Sequence, residues 1–355
     1  MKKSKAENLH RSIQTTAELA KHVGLARGTV SRILNGRPGI RRQTIDRVME
    51  VVRQTGFSPN PYSNILRGRR SATIAVYISS LKQHAVVLKL AEVVRFLAEA
   101  GYTSLIETAE NTTHAEIVRW VKRVRAEGAI FVGQHNDLGL AAQIRELAAA
   151  GVPHVFTDNF ADDKANVVTL DRIVALEQAA NHLLDLGHRR IGLMGIEGKT
   201  PVEHARVLGL SRALVARRLD PASALVALLD PPPRISNMIF GREVTRRFAA
   251  APRMPTAFVT LNDEIAFSAI EEFRAMGISV PGDVSVIGFN NDDLAKFASP
   301  SITTVEAENE TTACAAVDFL LGQSRRGVVT LGRTQLLPAR FIVRDSTGRV
   351  GRKAR

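Results

Sequence analysis

One cysteine, Cys314, stands in a chain of 355 residues. An intrachain disulfide and a cysteine-built zinc cluster are both excluded, which suits a reducing cytoplasm. Long apolar runs are missing too: nothing approaches the ~18 uninterrupted apolar residues of a membrane span. Met1-Lys2-Lys3-Ser4-Lys5-Ala6-Glu7-Asn8 leads into no apolar segment, so export by a signal peptide is not expected and the cytoplasm is the expected compartment. Signatures of catalysis are equally thin. Gly198-Lys199-Thr200 ends like a phosphate loop, but Leu193 stands where the first glycine of G-x-x-x-x-G-K-[ST] belongs, so it reads as a cleft-rim loop. No G-x-G-x-x-G follows the first strand of the body. His182 and His188 miss the i, i+4 spacing of a helical zinc pair. Asp292-Asp293 reads as a pair of solvated loop carboxylates and Trp120 as packing. Neither an enzyme nor a cofactor is expected.

Acidic residues are scarce at one end. Residues 1–70 hold 15 basic and 4 acidic side chains, a net of +11, within a chain whose formal net charge is +13. Residues 71–343 hold 28 basic and 30 acidic side chains, close to neutral, and the tail 344–355 holds 5 and 1. A basic head on a neutral body is the footprint of a polyanion-binding module.

What the head contains points the same way. In the segment TAELAKHVGLARGTVSRILNG, Leu19, Ala20 and Val23 recur at helical spacing, and so do Val30, Ile33 and Leu34. Gly24 lies between the two patterns, where a sharp turn needs positive φ. Asn35-Gly36 stops the second helix. Two short helices around such a glycine form a helix-turn-helix, whose second helix enters the major groove. Its outward residues are Arg27, Gly28, Ser31 and Arg32, and an arginine can donate two hydrogen bonds to guanine. Arg37, Arg41 and Arg42 suit phosphate contacts. A third helix from about Arg42 to Gly56, with Ile45, Val48, Met49 and Val52 inward, would close the bundle. Asn60-Pro61 then caps a helix of one or two turns ending before Gly68, too short to stand alone and expected to order on DNA.

These residues resemble the head and hinge of the lactose-repressor/galactose-repressor (LacI/GalR) family. The resemblance is carried by Thr29-Val30-Ser31-Arg32-Ile33-Leu34-Asn35-Gly36, by Phe57-Ser58-Pro59-Asn60 and by Leu66-Arg67. It implies operator contacts from Thr16, Arg27, Gly28, Thr29, Ser31, Arg32, Asn35, Leu66 and Arg67. Paired hinge helices of a homodimer would push Leu66 into the minor groove and kink the duplex. Two positions depart from the family: Ala26 replaces the usual capping Ser, costing about 1 kcal/mol of helix stability, and Gly28 offers no side chain for reading bases.

From residue 71 the chain alternates apolar strands (73–78, 129–132, 152–156, 191–194, 257–260, 284–288) with helices (86–100, 113–127, 139–150, 171–186, 204–218, 263–276). Such alternation means parallel sheets covered on both faces, and some 270 residues exceed one core. Ligands of such folds bind at the carboxyl ends of strands, here between two lobes. The expected architecture is an all-α helix-turn-helix head (1–56), a hinge (57–70), an α/β two-lobe core (71–343) and a basic tail (344–355).

The resemblance continues through Leu186-Gly187-His188-Arg189-Arg190-Ile191-Gly192, Val280-Pro281-Gly282-Asp283-Val284-Ser285-Val286-Ile287-Gly288-Phe289, Ile302-Thr303-Thr304-Val305 and Val343-Arg344-Asp345-Ser346-Thr347. It implies a periplasmic-binding-protein-like core with three crossover strands and a small-molecule effector bound by Ser80, Asp158, Arg206, Asn262 and Asn290. Asn290 stands where many sugar-responsive members carry Asp, which favours an acidic or phosphorylated ligand. Ser79-Ser80-Leu81-Lys82-Gln83-His84-Ala85 lacks the family's Asn-Pro-Phe-Phe pattern. The function implied is a transcription regulator, a repressor, acting on double-stranded operator DNA under effector control. A transport receptor would share the body but lack the basic head, and a sugar kinase would need the phosphate loop. No leucine-heptad tail follows residue 344, so a coiled-coil tetramer is not expected.

Overall fold

The structure, a computed structural model, describes residues 13–34, 36–57, 71–108, 114–133, 140–158, 165–198, 200–228, 232 and 236–351. The expected hinge helix and its residues Leu66 and Arg67, together with Asn35, lie outside the described residues. The chain divides into two compact units, Met1–Ser71 and Ala72–Arg355.

The first unit is helical: α1 (Thr16–Val23), α2 (Arg27–Leu34) and α3 (Arg42–Thr55). Helix α1 begins with a capping box in which the Thr15 hydroxyl accepts from the Glu18 N–H and the Glu18 carboxylate accepts from the Thr15 N–H. It ends at Gly24, φ +66°, which turns the chain towards α2. Leu19, Ala20, Val23, Val30, Ile33 and Val48 form the core. Met49, expected inward, is instead 37% exposed. Ile45, Val48 and Val52 already lie on one stripe, and a residue next to Val48 is rotated by about 100° away from it. Phe57 is buried in the same core, so the head extends one residue beyond the expected boundary.

The second unit holds two six-stranded sheets. In the first, β1 (Thr73–Ile78) is flanked by β2 (Thr103–Thr108) and β3 (Gly128–Val132), and then come β4 (His154–Thr157), β5 (Val167–Leu170) and β11 (Thr334–Leu337), all parallel. Helices α4 (His84–Glu99) and α13 (Asn309–Arg326) cover one face, and α5 (His114–Arg123) and α6 (Leu140–Ala149) the other. In the second sheet, β6 (Ile191–Met194) lies between β7 (Leu225–Ala227) and β8 (Ala257–Thr260), followed by β9 (Ser285–Asn290) and β10 (Thr303–Glu306). Only β12 (Phe341–Ile342) runs antiparallel, against β10. Its helices are α7 (Arg172–Asp185) and α8 (Pro201–Ala216), with the short α9 (Pro221–Ala224), then α10 (Asn237–Ala249), α11 (Asp263–Ala275) and the short α12 (Asp293–Phe297). Buried apolar side chains on both faces of both sheets make the strands read as continuous hydrophobic runs.

The chain crosses between the lobes three times, after β5, after β10 and after β11. The tail does not stand apart as expected. Ser346 is fully buried, its hydroxyl donating to the Val286 carbonyl at 2.6 Å and accepting from the Thr303 N–H at 2.9 Å. His188 bonds to Thr256, Ser285 and the Gly348 carbonyl, so residues 344–351 are sewn into the second lobe by groups remote in sequence.

Helices α7 and α8 pack along much of their length, and Gly209 permits it: a Cβ there would sit 2.3 Å from the Ile173 carbonyl oxygen. The obstacle is backbone, which cannot swing aside as a side chain can. Gly209→Ala is expected to destabilise the second unit by about 1–3 kcal/mol, read as a lower urea midpoint at unchanged slope.

Candidate functional site

On the head, the face of α2 turned to solvent carries Arg27, Gly28 and Arg32, all exposed, with Thr29 and Ser31 half-buried. Thr16 opens α1, also half-buried. A side chain built at Gly28 would meet nothing within 4 Å, so the glycine leaves a gap on the surface and fills no packing role. The Arg32 guanidinium donates to the Pro38 carbonyl at 2.8 Å. That bond lies in solvent, where its net worth is about 0.5–1.5 kcal/mol, small beside two charge-assisted bonds to a guanine edge. The face can therefore present two guanidinium groups to a groove.

In the second unit, Ser80, Asp158, Arg206, Asn262 and Asn290 line one cavity of about 370 Å³. Each follows a strand or sits on a helix facing the cleft: Ser80 after β1, Asp158 after β4, Arg206 on α8, Asn262 after β8 and Asn290 at the end of β9. Asp158 and Asn290 have φ of +61° and +115°, left-handed backbone that L residues adopt at a cost. Asn262 also caps α11, its side-chain oxygen accepting from the Ile265 N–H at 3.0 Å. Thr200, the last residue of the segment read as a cleft-rim loop, caps α8 in the same way.

Sequence reasoning missed the groups that hold Asp158. Lys89 on α4 and Arg172, the first residue of α7, both bond its carboxylate, Arg172 at 2.6 Å. Arg172 also donates to Thr169 at 2.7 Å. Lys89 and Arg172 are 4% and 6% exposed, so the three charges sit in a low-dielectric wall. Burial alone would raise the Asp158 pKa, but Lys89 and Arg172 outweigh it and hold the carboxyl well below its ordinary range. Burial pushes the Lys89 ammonium down, against the pull of Asp158 and with the push of Arg172. A signal for Lys89 was present: it interrupts the apolar stripe Val86, Leu90, Val93, Leu97 with a charge.

Phe289 was missed as a site residue as well. Its ring lies 3.9 Å from the Arg206 guanidinium carbon and 6.0 Å from that of Arg172, so two cations face one aromatic surface. The Arg206 guanidinium also donates to the Leu261 carbonyl at 2.7 Å, which fixes its plane. On the same side Asp263 receives the Asp292 N–H at 2.8 Å and the Thr304 hydroxyl at 2.6 Å, and burial pushes its pKa up to about 6. Asp292, read from sequence as solvated, is buried in the cavity wall, and burial raises its pKa too. Guanidinium, amide and carboxylate groups around a cavity of this size suit a small polar molecule. Among the described residues no group of three or more His, Cys, Asp or Glu side chains could hold a metal ion, and no helix is long and apolar enough to cross a membrane.

Comparison with known proteins agrees with this division. The model of "Bacterial regulatory proteins, lacI family" matches residues 15–60, and that of "Periplasmic binding protein-like domain" matches residues 180–347. The chain is 31% identical over 321 residues to the HTH-type transcriptional regulator MalR of Streptomyces coelicolor, covering 86% of this chain and 88% of that one. It is 29% identical over 347 residues to the HTH-type transcriptional regulator DegA of Bacillus subtilis, covering 94% and 98%. Its fold is similar to that of the Lac repressor dimer bound to operator and the anti-inducer ONPF, with a TM-score of 0.79, 24% identity, and 93% and 98% of the two chains covered.

The geometry makes Asp158 the counter-ion of two buried cations. Asp158→Ala is expected to cost about 3–5 kcal/mol of unfolding stability, because Lys89 and Arg172 would stay buried without it. Chemical denaturation of the purified variant checks this.

Proposed function

The chain belongs to the lacI family of bacterial regulatory proteins and is a helix-turn-helix transcription regulator, not an enzyme; from that premise we propose that it is a cytoplasmic homodimer that represses from an operator and changes its grip when a small effector fills the cleft. The observation that carries the reading is the pairing, in one chain, of a cationic helix face with a cavity lined by buried charge. Each half has a hydrophobic core of its own, so their union in one chain has a regulatory rationale. A solute receptor has no use for the first.

The head, residues 1–57, reads DNA through Arg27 and Arg32 at base edges, with Thr16, Thr29, Ser31 and Asn35 around them. The hinge to residue 70 contributes Leu66 as a wedge in the minor groove, with Arg67 beside it. A dimer follows from the docking geometry, since paired half-sites need two heads related by two-fold symmetry. In the core, Ser80, Asp158, Arg206, Asn262 and Asn290 surround the effector. The Lac repressor neighbour, named for operator and anti-inducer together, supports giving this chain both kinds of ligand. The mechanism is linkage. An effector that prefers one arrangement of the lobes shifts the balance between them, and with it operator affinity, by roughly 1–3 kcal/mol.

Selection of genomic fragments by the purified protein at physiological salt tests the regulator reading, and no preference over random duplex would reject it. Arg32→Ala is expected to weaken the selected fragment by about 1–3 kcal/mol while changing random-duplex binding far less; equal loss of both assigns Arg32 to the phosphates. Arg206→Ala removes a buried charged donor and is expected to raise the effector concentration for half response by roughly 10- to 100-fold, measured by fluorescence anisotropy on the selected fragment. A half response at unchanged effector concentration removes Arg206 from the site.

A further inference from the structure

The charges gathered around Asp158 do not balance. Asp158 neutralises one of the two cations it touches, Lys89 and Arg172, and all three side chains are buried. Arg172 spends one terminal nitrogen on Thr169 and the other on Asp158, and its buried Nε has no hydrogen-bond partner among the described residues. Arg206, only 5% exposed, faces the same Phe289 ring from the second lobe. Leaving a net positive charge away from water is costly unless a counter-charge arrives. The lowered pKa of the Lys89 ammonium is the mark of that cost. The second lobe brings carboxylates to the same cavity: Glu203, Glu264 and Asp292 line it beside Arg206, with His84 of the first lobe acting on Asp292. Those carboxylates accept from hydroxyl donors and repel an anion, which gives an asymmetric ligand one orientation.

We propose that the effector is a polyhydroxylated oxyanion, a sugar carboxylate or sugar phosphate, whose anionic group docks against Lys89 and Arg172 while its hydroxyls face Asn262, Asn290 and Asp292. The inference rests on reading the cleft as the effector site and adds the ligand's chemical class. A cavity of about 370 Å³ lies near the low end of the ~300–1,000 Å³ range of ligand pockets, which suits a ligand of one sugar unit. The bound oxyanion supplies the missing counter-charge to the wall, since carboxylate and phosphate oxygens accept charge-assisted hydrogen bonds from ammonium and guanidinium groups.

Isothermal titration of the full-length protein with glucose, gluconate, glucuronate and glucose 6-phosphate tests this. At least one of the three anions is expected to bind roughly tenfold or more tightly than glucose. A preference among them for the two carboxylates or for the phosphate identifies which oxyanion the site takes. Lys89→Met is expected to erase the preference for the anion, lowering anion affinity far more than glucose affinity. Glucose binding as tightly as every anion, binding by none of the four, or a preference that survives in a folded Lys89→Met overturns the proposal. Should that variant not fold, as judged by near-ultraviolet circular dichroism, the comparison of glucose with the anions on the unmodified protein decides alone. Fragment selection by the same ligand-free preparation separates the two readings: a protein that selects DNA yet favours glucose loses the oxyanion and keeps its regulatory role.

Discussion

A carboxylate shared by two cations governs the shape of the cleft. Asp158 follows β4, Lys89 projects from the middle of α4, and Arg172 begins α7 at the first crossing between lobes. Bringing three charges out of water costs several kcal/mol per ion before their attraction repays it. A hydrophobic wall of the same volume would fold at least as well, so stability alone does not account for the triad. What it does supply is geometry: a strand end, a helix and a crossing are held to one another by directional bonds that apolar packing would leave free to slide. The left-handed backbone at Asp158 belongs to the same arrangement, because strain at a strand end persists only where surrounding bonds over-determine it.

The other two crossings are tied by a second set of charges. Arg340, between β11 and β12, pairs with Glu306 at 2.5 Å and with Glu308 at 2.8 Å, both at the crossing that follows β10. Arg344 reaches Asn291 at 2.6 Å, and Asn291 in turn donates to Glu306. Bonds of this kind reduce the number of arrangements the crossings can take, and a two-state response requires an element with few of them. Because Asn290 precedes Asn291 in the chain, the cavity lining and the bonds between crossings share backbone.

Much of the fold was legible from local pattern. The six strands read from the sequence are all present, because continuous apolar runs bounded by glycine have few other uses in an α/β chain. The helix-turn-helix was legible from two apolar triplets around Gly24. What escaped was decided by distant partners. Strands β5, β7, β11 and β12 are two to four residues long, and only their neighbours in the sheet make them strands. Residues 344–351 look like a basic tail until Ser346 and Gly348 are seen bonded to residues some sixty positions away. In the cavity, the five residues sought at strand ends and helix starts converge, whereas Lys89 and Arg172 became meaningful only through Asp158. Asp292 escaped because adjacent carboxylates are normally solvated, and nothing local announces that Asp263 pins the Asp292 backbone inward.

The distribution of charge constrains how such a molecule can be regulated. With a net of +11 in its first seventy residues, the head is attracted to any duplex, and that attraction falls steeply with salt because it works by counter-ion release. Specificity has to come from the few side chains on α2 that reach base edges and from the deformation of the duplex, together about 4–10 kcal/mol above non-specific binding. A coupling of roughly 1–3 kcal/mol from the cleft is too small to detach the head from DNA altogether, but it is a sizeable part of that difference. The effector therefore acts on the choice between the operator and the surrounding genome. On α2, Gly28 leaves a gap between the exposed guanidinium groups of Arg27 and Arg32, so few side chains on that face are long enough to supply the difference.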